Sequence, residues 1–268
     1  MSNRRQKIYK LLRNSNRELG ILAKYLKKVH LFEILDYLGK LVVLVALFTF
    51  FKESGTRQKL ANYQAWQVVS MASENETDGG RIEALQDLSK AKQSLAGLDV
   101  EGAFLSGINL KGALLTKSNL SHTDLKNANL SSSNLEAANL SNADLSSANL
   151  SKSKMTAADI QEARLNGATL SDSELAFAKL DNSILTRANL ADADLLQASL
   201  LNTNLDGADL SGANLLAANL AGATLRDANL KGTNLKGANL TGVLLGNATL
   251  CNTTMPDGKV EDKDCASL

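Results

Sequence analysis

Histidine, cysteine, proline and aromatic residues are scarce in this 268-residue chain, which has two His, two Cys, one Pro and 4% aromatic residues. So few His and Cys residues argue against a zinc site, a haem protein or an iron–sulfur cluster. With few aromatic side chains, a core has to be packed from Leu and Ala. The 29 basic and 28 acidic residues give a formal net charge of +1, which does not indicate a nucleic-acid-binding protein.

Positive charge is concentrated at the beginning of the sequence. Residues 1–30 contain nine Lys and Arg residues against one acid, Glu18, whereas residues 100–255 contain eleven bases and fourteen acids. A basic segment with regularly spaced Leu residues predicts an amphipathic helix on an anionic membrane surface. The candidate membrane-surface residues are Arg4, Arg5, Lys7, Lys10, Arg13, Lys24, Lys27 and Lys28.

A five-residue repeat runs without interruption from Leu105 to Leu250. Twenty-eight of the thirty residues at every fifth position are Leu, and the exceptions are Met155 and Ile160. The residue two places earlier is Ala in twenty cases, Ser in five and Thr in three. Five residues of an α-helix turn through about 500°, which would spread the Leu residues over every face. Inward small residue, outward polar residue and inward Leu is instead the alternation of a β-strand, and the other two positions turn a corner.

This A-(D/N)-L-x-x pattern, as in Ala143-Asp144-Leu145, strongly resembles that of the pentapeptide-repeat family. The resemblance implies an all-β solenoid, a right-handed quadrilateral β-helix in which four pentapeptides make one coil. Residues 99–255 would then form about seven to eight coils and a rod about 36 Å long. Residues twenty places apart would share a face, so the column from Asn109 to Thr249 is expected to form a polar ladder along the rod.

The first coil of an open solenoid needs a cover, because its strand edges are unpaired. Ile82, Leu85 and Leu88 share one face of a short predicted helix that is expected to cover this coil. The whole fold is therefore predicted as a β-helix with an α-helical, membrane-associated N-terminal region and a helical cap.

The other end of the repeat is followed by a capping tail, residues 256–268. Pro256 and Gly258 predict a turn where the repeat stops. Cys251 and Cys265 flank this turn. They either form a disulfide over the last coil, which requires an oxidising compartment, or remain thiols.

The segment before the repeat contains the most apolar run of the chain. Leu41–Phe51 is eleven residues without a charge, whereas a transmembrane helix needs about 20 mostly apolar residues. Three alternatives stay open for it: a transmembrane helix over residues 35–53, a buried or interfacial amphipathic hairpin, and a cleaved signal peptide. Tyr63 and Trp66 follow where interfacial aromatic residues are expected.

The predicted organisation has five parts: a basic amphipathic helix (1–34), a transmembrane helix (35–53), juxtamembrane and capping helices (54–98), the β-helix (99–255) and the tail (256–268). The order of the N-terminal parts is similar to that in cyanobacterial membrane-anchored pentapeptide-repeat proteins. If the chain spans a membrane once, its charge bias places the N-terminus in the cytoplasm. The β-helix then lies in a thylakoid lumen or a periplasm.

No catalytic arrangement is evident in the repeat. His122 lies between Ser and Thr residues, but consecutive residues on a coil do not converge as a catalytic relay requires. Leu196, Leu201 and Leu216 occupy outward positions and predict a small apolar patch, which is either a partner-binding surface or three tolerated Leu residues. Phe177, at a corner position, is expected to act as a local lid.

The sequence therefore predicts a non-enzymatic, membrane-tethered scaffold or protein-interaction rod. It would bind and position another membrane, lumenal or periplasmic assembly. The expected partners are a membrane-associated protein and the lipid bilayer, with no cofactor, metal, nucleic acid or small-molecule substrate. The alternative is a DNA mimic that binds a type II topoisomerase. A rod net charge of −3 imitates poorly the roughly one charge per 1.7 Å of duplex DNA.

Overall fold

The computed structural model describes residues 19–21, 24, 31–71 and 80–265, and it divides the chain into two compact units, Met1–Ala61 and Asn62–Leu268. Helix α1 spans Leu31–Met71 and helix α2 spans Arg81–Lys90. After the repeat, strands β1 (Thr253–Thr254) and β2 (Val260–Glu261) pair antiparallel. The candidate membrane-surface residues lie outside the described residues, apart from Lys24, which is helical and exposed.

Helix α1 is apolar on every side in its middle. Leu41, Val42, Val43 and Leu44 point about 100° apart in succession and so surround the helix axis. Each of the four is exposed, from 55% for Leu41 to 66% for Val42. In the part of the chain that the structure describes, no helix has both the length and the apolar character needed to cross a membrane. The transmembrane helix predicted over 35–53 therefore has no support among the described residues.

The end of α1 belongs to the second unit and packs against its core. Val69 is buried, and Ala65 and Trp66 are half-buried against the same cluster. These three residues fall on one stripe of the helix, which accounts for their shared contact. Trp66, expected to lie at a membrane interface, therefore packs against protein in this structure, whereas Tyr63 is 62% exposed.

The repeat forms a four-sided β-helix with twenty residues in each coil. Each residue between the small residue and the Leu makes a parallel bridge with the residue twenty places further on, as Asn129 does with Asn149. The backbone bonds recur with the same period. The N–H of Leu145 donates to the carbonyl oxygen of Arg164 at 2.7 Å, and the N–H of Arg164 donates to that of Ala143 at 2.9 Å. Every inner coil is thus paired with both of its neighbours.

The repeated Leu residues fill the interior of the coils. From Leu105 to Leu235, each residue of this series is at most 1% exposed, including Met155 and Ile160. Burying a Leu side chain stabilises the fold by about 2 kcal/mol before the entropic cost of ordering it. Where Ser or Thr replaces Ala beside the Leu, the hydroxyl bonds to a backbone carbonyl, except at Ser118, whose buried hydroxyl has no partner. The hydroxyl of Ser133, for example, donates to the carbonyl oxygen of Leu130 at 2.7 Å.

Each corner is a β-turn closed by a backbone hydrogen bond. The N–H of Ala113 donates to the carbonyl oxygen of Leu110 at 3.0 Å across such a turn. From residue 97 to residue 242, the second of the two central residues of every turn, such as Gly112, has φ between 53° and 72°. A positive φ at this position is what a type II turn requires, and Gly and Asn adopt it at the lowest cost. The corners are therefore the positions where a bulky side chain is least expected.

The Asn and Asp residues before each Leu mainly stabilise the corners. Oδ1 of Asn129 accepts the N–H of Ser131 at 3.2 Å, and Oδ1 of Asn149 accepts that of Ser151 at 3.0 Å. In the column from Asn109 to Thr249, Nδ2 of Asn229 donates to Oδ1 of Asp209 on the preceding coil, at 2.9 Å. The expected ladder is thus largely replaced by turn bonds, because the short side chain reaches the N–H two residues further on.

Both ends of the β-helix are covered. Helix α2 begins after Gly80, whose φ is 81°, and places Leu85 and Leu88 in the core at 0% exposure. At the other end, the structure joins Cys251 to Cys265 in a disulfide. The tail thus returns to the last coil.

Candidate partner-binding surface

The three Leu residues proposed as a partner surface do not form one patch. Leu196 and Leu216 lie at the same corner of successive coils. The N–H of Gln197, the residue after Leu196, donates to the carbonyl oxygen of Leu216 at 2.9 Å. Both side chains are half-buried. Leu201 is 38% exposed but lies at the next corner, with the strand residue Ser199 between. The coil geometry therefore supports two of the three as neighbours.

Phe177 lies at the corner that Leu196 and Leu216 share. Its N–H donates to the carbonyl oxygen of Leu196 at 2.9 Å. Phe177 was expected to act as a local lid. In the structure, it is 51% exposed. It lies in one column between Ala157, whose side chain is short, and the polar Gln197, which interrupts the apolar surface. We call this surface the apolar corner, which consists of Ala157, Ala176, Phe177, Leu196, Leu216 and Ala217.

The backbone at Phe177 is unusual for such a residue. Its φ is 62°, in the left-handed region that bulky residues seldom adopt. The same turn position elsewhere holds mostly Gly, Asn, Asp, Ser or Ala. Phe177 is also the only Phe, Tyr or Trp in residues 105–268. A lone aromatic residue at a turn position is distinctive in the sequence, although the repeat pattern by itself predicts no binding role for it.

Acidic residues surround the apolar corner. Glu174 is 54% exposed and pairs across the coils with Asp194, whose Oδ1 accepts the N–H of Leu196 at 3.2 Å. Lys154 lies 3.9 Å from Glu174 in an exposed ion pair, which contributes little to stability. We call the six acids of the adjoining sides and corners the acidic rim, namely Asp159, Asp172, Glu174, Asp181, Asp192 and Asp194.

A second charged group lies on another side of the rod. Nζ of Lys126 is 3.5 Å from Oδ2 of Asp124 and 3.3 Å from Oδ2 of Asp144. The hydrogen bond to Asp144, then the charges of both carboxylates, raise the pKa of Lys126 above its ordinary value. Partial burial acts to raise the pKa of Asp144, but hydrogen bonds from Ser146 and Lys126 outweigh it and lower that pKa. This group is an ordinary solvated cluster that links two coils.

The titratable side chains of the described coils lie at their outward and corner positions. His122 is exposed at a corner, with its backbone N–H bonded to the carbonyl oxygen of Ser141 at 2.9 Å. Within the described ranges, no group of His, Cys, Asp and Glu residues is arranged to hold a metal ion. The candidate site of this protein is therefore a surface.

A family model described as pentapeptide repeats matches residues 94–131, 133–172, 155–187, 183–216 and 218–255, with 8 copies of the repeat. The chain belongs to the pentapeptide-repeat family. Proteins of this family form right-handed quadrilateral β-helices and are generally non-enzymatic structural or interaction proteins. Among curated proteins, none matches this pentapeptide-repeat protein.

Solved structures of other pentapeptide-repeat proteins are similar to the chain. HetL, involved in heterocyst differentiation regulation in the cyanobacterium Nostoc sp. strain PCC 7120, is 32% identical, with 67% of this chain and 98% of HetL covered and a TM-score of 0.36. A trypsin-treated form of QnrB1, a plasmid-mediated fluoroquinolone resistance protein, is 19% identical over 65% of this chain and 95% of its own, with a TM-score of 0.52. A protein of the Arabidopsis thaliana thylakoid lumen is 33% identical over 32% of this chain and 64% of its own, with a TM-score of 0.27.

Proposed function

We propose that this protein is a non-enzymatic scaffold that is attached to a membrane by the middle of α1 and binds a protein partner with its β-helix. The observation that carries the attachment is the exposure of α1 between Leu38 and Phe48. The large apolar residues of this stretch are exposed by 48–70%, and they surround the helix. Helices that are apolar on all sides normally lie within protein or lipid, since water solvates them poorly.

We also propose that the β-helix and the N-terminus lie on opposite sides of the membrane. The disulfide between Cys251 and Cys265 favours an oxidising compartment for the β-helix, because cytosolic thiols are kept reduced. The basic residues 1–30 favour the cytoplasmic side for the N-terminus. A single pass, with the β-helix in a thylakoid lumen or periplasm, would satisfy both preferences.

The scaffold role rests on the rigidity of the β-helix. Each inner coil is hydrogen-bonded to its two neighbours, and the core series is almost wholly buried. Such a rod holds its side chains at fixed positions and loses little conformational entropy when a partner binds. The alternative, a DNA mimic for a topoisomerase, has less support, because the eleven bases interrupt the fourteen acids of residues 100–255.

Membrane attachment is tested by flotation of the full-length protein with lipid vesicles after an alkaline wash. We expect the wild type to float and Val43→Lys to remain at the bottom, since a charge in the apolar segment opposes insertion. The matched control is Leu244→Lys, which alters an exposed apolar residue of the β-helix, at 47% exposure. Equal flotation of all three proteins would contradict attachment through α1. Protease protection of the β-helix in sealed membranes then tests its sidedness.

Partner binding is tested by photo-crosslinking from the four corners of the rod. Lys152, Arg187, Gln197 and Asn202 each occupy a different corner, and all four are exposed. We expect a crosslink to the same partner from at least one corner in native membranes. Crosslinks from none of the four would contradict the scaffold role. Crosslinks to a topoisomerase would support the alternative.

A further inference from the structure

We propose that the apolar corner and its acidic rim bind a basic, amphipathic segment of a partner protein. This proposal rests on the scaffold function and names the class of partner. Its first support is the exposed Phe177. This residue shares its corner with Leu196 on the next coil and with Leu216 on the coil after that. Aromatic residues that lie among smaller apolar neighbours are the side chains that contribute most to protein–protein binding.

The backbone strengthens this assignment. A left-handed φ of 62° opposes Phe at position 177, where Asn or Gly would fit without strain. The core gains nothing from the ring, because the inward positions of this coil are already filled by Leu175 and Ala178 at 0% exposure. A strained residue that does not contribute to packing suggests a functional role. An apolar side chain of the partner would cover the ring.

The charges define the partner's chemistry. The six carboxylates of the acidic rim outnumber the three bases on the same sides and corners of these coils, Lys152, Lys154 and Lys179. Another base, Lys236, lies in the column of the apolar corner, one coil further along. The uneven sign favours a partner with Lys or Arg on both sides of its apolar residues. It also opposes nucleic acid and anionic lipid, both of which carry negative charge. Glu174, on the strand that leads into the apolar corner, is accessible to such a partner, because 54% of its side chain is exposed.

The binding test uses the full-length protein and two labelled synthetic peptides, an amphipathic peptide of Leu and Lys and its counterpart of Leu and Glu. Fluorescence anisotropy measures each Kd at increasing salt concentration. We expect the lysine peptide to bind and to weaken with salt, and the glutamate peptide not to bind.

Two variants of the surface are compared with two matched controls. Phe177→Asn keeps a residue suited to positive φ, and we expect it to raise the Kd for the lysine peptide about tenfold or more. Glu174→Gln combined with Asp194→Asn should raise the Kd and flatten its salt dependence. The controls, Leu244→Thr and Asp209→Asn, alter equivalent residue types on other sides and should change the Kd less than about twofold.

Three results would overturn the proposal: no binding of the lysine peptide, equal binding of the glutamate peptide, or the same loss in the controls as in the surface variants. The photo-crosslinking experiment separates this proposal from the scaffold function. A partner crosslinked from the corners at Lys152, Arg187 or Asn202, and not from Gln197, would leave the scaffold function standing and place the binding surface elsewhere.

Discussion

The backbone N–H of Asn109 donates a hydrogen bond to Oε1 of Gln86 at 2.9 Å. One coil further along, the equivalent N–H of Asn129 donates to the backbone carbonyl of Ile108 at 2.8 Å. The amide oxygen of Gln86 thus replaces a carbonyl of the coil that would precede the first one. Two carboxylates do the same at the opposite end, where Leu250 donates its N–H to Asp264 at 2.8 Å and Asn252 donates its N–H to Asp262 at 2.9 Å.

We therefore expect Gln86→Met to open the first coil locally. The substitution keeps the size of the side chain and removes the acceptor, which should cost about 1–2 kcal/mol at the edge. Amide hydrogen exchange should become faster at Asn109. Exchange at Asn149, in the same column but in the middle of the rod, serves as the internal control. Unchanged protection at Asn109 would show that Gln86 is not needed as a cap.

Reduction of the disulfide should release the opposite cap. The bonded residues are 14 apart, a separation for which the loop-entropy relation gives about 3 kcal/mol. We expect a reductant to lower the unfolding temperature of the wild type and to speed amide exchange at Leu250. The variant Cys251→Ser with Cys265→Ser should already show both effects and should not respond to the reductant. A response of that variant would mean that reduction acts elsewhere.

Leu145→Ala should destabilise the β-helix by about 2–5 kcal/mol, because the residue is fully buried and its neighbours have no room to collapse. Chemical denaturation of the full-length protein provides the measurement. Ile184→Ala, at 36% exposure on the outside of the same rod, should cost about 0.5 kcal/mol or less. Similar losses for the two variants would contradict a core packed as tightly as the structure indicates.

Gly212→Ala should be more costly than Gly107→Ala. Both positions have positive φ, at 69° and 72°, and so carry the same backbone penalty of about 1 kcal/mol. A Cβ at 212 would also force the exposed carboxylate of Asp192 to rotate away, which adds a small cost, whereas a Cβ at 107 meets nothing within 4 Å. Unfolding free energies measure the difference, and adding Asp192→Ala to Gly212→Ala should restore part of the loss. The absence of rescue would exclude the collision as the cause.

The ion pairs of Lys126 should limit stability only at extreme pH. The pKa of Asp144 is lowered from 3.8, so its contribution is present above that value and is lost as the pH falls through the lowered pKa. The pKa of Lys126 is raised from 10.5, so its contribution is present below that value and is lost as the pH rises through the raised pKa. Unfolding followed from acid to alkali should therefore show a plateau between the two values.

Lys126→Met tests this assignment. It removes one of the groups that lower the pKa of Asp144, so less stability should be lost on acidification, and the loss should end at a higher pH than in the wild type. Lys111→Met is the control for loss of one positive charge on the rod, and it should leave the acid limb unchanged. An identical acid limb in Lys126→Met and the wild type would refute the coupling.

The repeat alone was sufficient to predict the β-helix. A strict period of five, with Leu and a small residue inward, allows no helix and permits only a coil that turns a corner after each short strand. Inward positions were predictable because the pattern repeats without interruption from Leu105 to Leu250. The hydrogen-bond partners of the Asn and Asp side chains were harder to predict. These side chains bond mostly within their own turns, because this short contact competes with the one between coils.

Which side chains meet across coils and at the ends depends on how the coils stack. Gln86 and Asp264 have no sequence signal as caps, because each acts on an edge that exists only once the coils have stacked. The same stacking places Leu201 at a different corner from Leu196 and places Phe177 at the corner of Leu196. A single corner brings together residues about twenty apart. Neighbours on the rod's surface are thus set by coil geometry, while its interior is set by the local repeat.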